Sequence, residues 1–205
     1  MTVVLLLLIA MTFAPGCASY NPKDLKPLSN DALATMCVPL KSTGRLCSDD
    51  VKVYASILSS ARTKFYFDRD ICAKGYVIVQ FTIANNSDSA LVLDNSSIGV
   101  QTTSFSDISK LVGTSTCGRA SAYGVGALLF FPLIIPAVVD GVRSSEANQR
   151  LAADLSMRCA DICYIHPHSL KNHVIFVHRS AFRNEFEMTL VDNENQSSII
   201  YGVKV

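Results

Sequence analysis

Tyr76-Val77-Ile78-Val79-Gln80-Phe81-Thr82-Ile83 is the clearest strand in this chain, and its reading sets the fold class. β-branched and aromatic residues dominate it, and the two-residue period of a strand puts Val77, Val79, Phe81 and Ile83 on one face and Gln80 and Thr82 on the other. Asn85-Asn86-Ser87-Asp88 follows as a turn, because Asn and Asp accept left-handed geometry and bond their own backbone. Ala90–Leu93 returns as a partner strand, and Ser97–Gln101 follows after a second polar turn. Upstream, Val51–Leu58 and Thr63–Phe67 have the same character. Downstream, His173–His178, Glu185–Val191 and Ser198–Val203 resume it, the last two joined by the turn Asp192–Asn195. Short strands separated by polar turns predict a mainly β chain, an immunoglobulin-like antiparallel β-sandwich.

Two apolar stretches interrupt that pattern. Of 205 residues, 49% are hydrophobic and only 17% charged, which excludes a disordered chain. The 18 Lys+Arg against 17 Asp+Glu argue against a nucleic-acid partner, which would draw a basic surplus. The first apolar stretch, Val3–Phe13, is too short to span a bilayer and has the length of a signal-peptide core. The second runs from Ala122 to Val139 without a charge. Pro132 and Pro136 argue against a regular spanning helix there. Asp140–Ser145 reads as a turn and helix start. Ala147, Leu151, Leu155 and Ile162 then keep roughly helical spacing, with the helix ending near Cys159. Residues 118–162 are therefore expected to be a helical hairpin inserted in the sandwich. Its arm residues Leu128, Leu129, Phe130, Phe131, Leu133, Ile134 and Ile135 form an apolar surface for membrane or partner contact.

The first apolar stretch ends in Ala14-Pro15-Gly16-Cys17, which resembles the lipobox of bacterial lipoproteins. The resemblance implies a signal peptide over residues 1–16, and lipidation of Cys17, with palmitate as the acyl group. It also implies attachment to the membrane through that lipid. Ala18 after the cysteine implies the outer membrane, with the body facing the periplasm. Residues 17–49 are then a lipid-anchored tether and N-terminal segment, Ser19–Asp31 being polar with two prolines, and residues 50–205 the sandwich. Over about residues 50–200 the pattern resembles a broad group of bacterial envelope lipoproteins. It has a strand block with an Asn-rich turn, a Gly- and Pro-containing apolar arm, and a helix carrying Ala-Asn and Asp-Leu. Ile165-His166-Pro167 then leads into Val174–Val177. That resemblance implies a fold and an address but no reaction. The apolar arm is what points to a non-enzymatic structural or interaction component, in an envelope protein complex or a homo-oligomer.

Six cysteines remain besides Cys17, an even number suited to an oxidising compartment and open to fifteen disulfide connectivities. Cys37 and Cys47 flank a short loop with Pro39 and Gly44 and are the favoured pair. Cys159 and Cys163 would share a face on a helix.

All four histidines fall between 166 and 178. His166, His168 and His173 offer imidazoles of the kind that hold zinc or copper, and a periplasmic metal-binding module is the alternative reading. Incidental histidines in a loop fit the same spacing, and His173 and His178 have opposite parity on their strand. The chain contains no Gly-x-Ser-x-Gly elbow, His-Glu-x-x-His helix, P-loop or Gly-x-Gly-x-x-Gly turn. A small enzyme with a site assembled on sandwich loops is the third and least favoured reading, and no cofactor is expected.

Overall fold

The computed structural model describes residues 20–113, 134–195 and 197–205, with backbone only for 134–142. The chain divides into two compact units. Asn21–Gly113 with Arg150–Val205 form the body, and Met1–Tyr20 with Thr114–Gln149 form the second unit.

The body is mainly β, with two antiparallel five-stranded sheets. β1 (Thr35–Met36), β3 (Val51–Leu58), β4 (Tyr76–Asn85), β8 (Ser169–His178) and β6 (Thr102–Thr103) form the first sheet, in the order β1-β3-β4-β8-β6. β2 (Val38–Thr43), β10 (Ser198–Lys204), β9 (Glu185–Asp192), β5 (Leu91–Ile98) and β7 (Ile162–Ile165) form the second, in the order β2-β10-β9-β5-β7. Among the described residues there are three α-helices: α1 (Ser60–Phe67), α2 (Phe105–Val112) and α3 (Ile134–Arg158).

One core lies between the sheets. Val53, Ala55, Val79, Phe81, Ile83, Ile175 and Val177 of the first sheet meet Leu91, Leu93, Met188, Leu190, Ile199, Tyr201 and Val203 of the second. Each large side chain so buried stabilises the fold by roughly 1.5–3 kcal/mol. The rings of Phe81 and Phe186 meet edge to face across the sheets at 6.5 Å between centroids. Tyr201 also carries a polar atom into this core, and its hydroxyl donates to the Val51 carbonyl across the sheets at 2.6 Å.

β4 is buried on both faces. Phe81 and Ile83 point into the main core, as their parity requires, while Ile78, Gln80 and Thr82 are covered on the outer face of the first sheet. Part of that cover is α1, whose Phe67 ring packs against Phe176 of β8 at 6.2 Å. Thr63–Phe67 was expected to be a strand. Local capping overrides its aromatic and β-branched composition: the Ser59 side chain accepts from Arg62 N, and Asp68 ends the helix at φ 50°.

Three further expectations are revised. The turn read at Asp94–Ser96 lies inside β5, where Ser96 N donates to Asp94 Oδ1 and the register with β9 shifts between Leu93 and Ile98. The turn read at Asp140–Ser145 is helical, because α3 runs unbroken from Ile134 to Arg158. Pro136 sits in its first turn, where the missing N–H would have no partner, and Gly141 costs only about 1 kcal/mol against Ala. The first arm of the expected hairpin, up to residue 133, lies outside the described residues. Finally, Ile162 does not extend the helical face; it lies in β7 and is exposed.

Candidate functional site

The N-terminal segment of the body, expected as part of a free tether, is docked across the outer face of the first sheet. Pro22 and Pro27 deny it regular pairing, and groups of other elements, mostly side chains, satisfy its backbone. Asn21 N donates to Asp68 Oδ2 at 3.2 Å, and Lys23 N to the Tyr66 carbonyl at 3.2 Å. Arg158 Nη1 donates to the Lys23 carbonyl at 2.6 Å, Asn172 Nδ2 to the Leu25 carbonyl at 3.0 Å, and Gln80 Nε2 to the Lys26 carbonyl at 2.7 Å. Leu28 N donates to Thr82 Oγ1 at 2.9 Å, and Thr82 in turn donates to Asn172 Oδ1 at 2.7 Å. Gln80 and Thr82, polar residues in the middle of a mostly apolar strand, are thus receptors for this segment, and Leu28 is buried beside them.

Arg158, at the last turn of α3, organises the corner where the segment enters the body. Its Nε contacts Asp154 Oδ1 at 2.6 Å, its Nη2 lies 3.8 Å from Asp24, and its guanidinium sits 5.9 Å from the centre of the Phe67 ring. Next to it in sequence, Met157 is 70% exposed; on α1, Phe65 is 54% exposed. Further along, Arg62 pairs with Asp31 at 2.6 Å, and that hydrogen bond holds the Asp31 carboxyl below its ordinary range. A groove of about 580 Å³ lies beside this pair, lined in part by Lys26, Asp31, Arg62, Tyr66 and Leu170. Because Arg62 and Asp31 answer each other, the groove presents no uncompensated charge from that pair.

The structure does not bring the three expected metal ligands together. His166 is exposed near a turn. His168, at φ 49°, pairs with Asp88 at 2.8 Å on the surface. His173 is buried between the sheets, its Nε2 3.1 Å from Asn95 Oδ1. His166 and His168 precede β8 at a surface turn, whereas β8 turns His173 inward with Ile175 and Val177. Among the described residues, no group of three or more His, Cys, Asp or Glu side chains is placed to hold a metal ion.

The expected Cys37–Cys47 bridge is likewise absent, and both are free thiols. Cys37 belongs to the core between the sheets and Cys47 is exposed before β3, so the loop between them does not turn the two side chains toward each other. Burial pushes the Cys37 thiol up to about 12, which makes it a poor nucleophile although it lines a cavity of about 350 Å³ with Asp49 and Tyr201. Cys159 follows the end of α3 and Cys163 lies in β7; both are buried and free, and they do not share a helix.

Cys17, Leu128, Leu129, Phe130, Phe131 and Leu133 lie outside the described residues, and Ile134 and Ile135 are placed only as the backbone of the first turn of α3. No helix among the described residues is long and apolar enough to cross a membrane.

Sequence reasoning missed Arg158, Asn172 and the Arg62–Asp31 pair. Their partners are remote in sequence, so no local spacing announces them. The only local signal is the basic residue in the last turn of α3, where a cation complements the helix dipole. Comparison with protein-family models, with curated proteins and with solved structures found no match.

Proposed function

We propose that this chain is a non-enzymatic lipoprotein of the bacterial envelope, anchored through Cys17 and serving as a structural or interaction component. The observation that carries this reading is the Val3–Phe13 apolar run ending in Ala14-Pro15-Gly16-Cys17. Ala18 favours the outer membrane, with the body on the periplasmic side. The two antiparallel sheets around one core support an immunoglobulin-like sandwich as the finer description of the body. The uncharged stretch 122–139, which the alternation of the sandwich strands does not account for, is the surface for membrane or partner contact, in an envelope complex or a homo-oligomer.

The test is fractionation of cells expressing the chain and its Cys17→Ser variant. The native chain is expected in the outer-membrane fraction and labelled by palmitate. The variant is expected unlabelled and released from the lipid anchor. Equal palmitate labelling of both chains would overturn the assignment of Cys17.

A further inference from the structure

We propose that the corner of the body formed by Phe65, Met157 and Lys23 rests on the phospholipid surface that holds the Cys17 lipid; the inference rests on the anchoring reading above.

The body holds the segment at Asn21, whose N–H donates to Asp68, and at Lys23, whose N–H donates to the Tyr66 carbonyl and whose carbonyl accepts from the Arg158 guanidinium. Only Ala18, Ser19 and Tyr20 separate Cys17 from Asn21. Four Cα–Cα steps reach at most about 15 Å. The headgroup layer on one side of a bilayer is itself roughly 5–7 Å deep. A lipid on Cys17 therefore keeps the corner at Asn21–Lys23 within a short distance of the headgroups, and this corner of the body is the one constrained to the lipid.

The chemistry of the corner suits that position. Phe65 and Met157 are exposed large apolar side chains, and each is the sequence neighbour of a residue that holds Lys23, namely Tyr66 and Arg158. An aromatic and a thioether side chain beside a lipid surface bury apolar area in the acyl boundary. Lys23 and Lys26 of the docked segment are exposed, with long stems and amines suited to lipid phosphates, while Lys64 of α1, also exposed, pairs with Asp70 at 3.1 Å. The linker holds these groups at a high local concentration of lipid, so weak individual contacts suffice.

The chain contains no tryptophan, so single Trp substitutions report cleanly. Phe65→Trp, Met157→Trp and, as a control on the other sheet, Val38→Trp are each purified as the full lipidated protein. They are then reconstituted into vesicles of phosphatidylethanolamine and phosphatidylglycerol, with circular dichroism confirming the fold. Val38 is exposed and apolar like the other two. The expected result is blue-shifted emission, quenched by brominated acyl chains, for the Phe65→Trp and Met157→Trp probes and not for Val38→Trp. Acylated protein in which these two probes are quenched no more than the control overturns the membrane-facing corner while leaving the anchor intact. Unmodified Cys17, read by mass spectrometry of the same samples, overturns both. Amide exchange in the unsubstituted lipidated protein gives a second readout: residues 60–69 are expected to slow on vesicles, and no change there counts against the proposal.

Discussion

The His173 imidazole on β8 donates from Nε2 to Asn95 Oδ1 on β5 at 3.1 Å, a hydrogen bond that crosses from one sheet to the other inside the core. Asn95 is fixed from behind, because its backbone N donates to the Asp161 carbonyl at 2.8 Å. The only histidine turned into the core is therefore a neutral structural strut.

Its titration predicts a pH dependence. Burial lowers the His173 pKa from 6.5 to about 4, with Lys171 nearby acting in the same direction. The unfolded chain binds the proton more readily, so the contribution is fully present above pH 6.5 and is lost as pH falls toward 4. The full loss is about 3 kcal/mol. Carboxylates held low in the fold, such as Asp31 and Asp192, act below about pH 4, outside most of this window. Urea unfolding at pH 7 and pH 4.5 is expected to show the loss in the native chain. A His173→Leu variant, though less stable at pH 7 for want of a partner to Asn95, is expected to show a much flatter profile.

Arg158→Met removes the donor to the Lys23 carbonyl and leaves Asp154, which is nearly buried, without its closest cation. The expected destabilisation is about 1–3 kcal/mol. Amide exchange at residues 21–28 is expected to accelerate more than exchange in β9 and β10, which belong to the other sheet.

Tyr201→Phe deletes the hydroxyl that donates to the Val51 carbonyl while keeping the ring in the core. A loss of about 1–2 kcal/mol in denaturant unfolding is expected, with the spectrum of the folded state unchanged.

Cys37 and Cys47 are expected to behave as separate thiols. In the native protein Cys47 is expected to alkylate quickly and Cys37 only after denaturant is added, since the first is exposed and the second buried. A peptide linking the two cysteines under non-reducing digestion would contradict the structure.

The sequence carried the sheets better than the surfaces between them. β9 and β10 alternate, β4 and β8 are rich enough in β-branched and aromatic residues to be read from composition, and the turn at Asn85–Asp88 announces itself. β1 and β2 did not, because they are edge strands exposed along their whole length: Val38 and Leu40 are apolar yet exposed, and β2 contains Pro39. β7 alternates but is only four residues long and directly follows the helical spacing of α3. α1 was masked by strand-like composition and revealed only by its caps. The docking of 21–31 was illegible for a deeper reason. A proline-bearing polar stretch looks solvated until Gln80, Thr82, Asn172 and Arg158, none of them local, are seen to satisfy its backbone. The histidine cluster failed in the opposite way, since closeness in sequence did not keep His166 and His168, on a surface turn, with His173, which β8 turns into the core.

The anchoring of the chain is tested most directly by mass spectrometry of the mature protein isolated from the envelope. A chain that begins at Cys17 and carries diacylglycerol on its sulfur is the expected result. A mature chain with an unmodified Cys17, or one that begins at another residue, would contradict it.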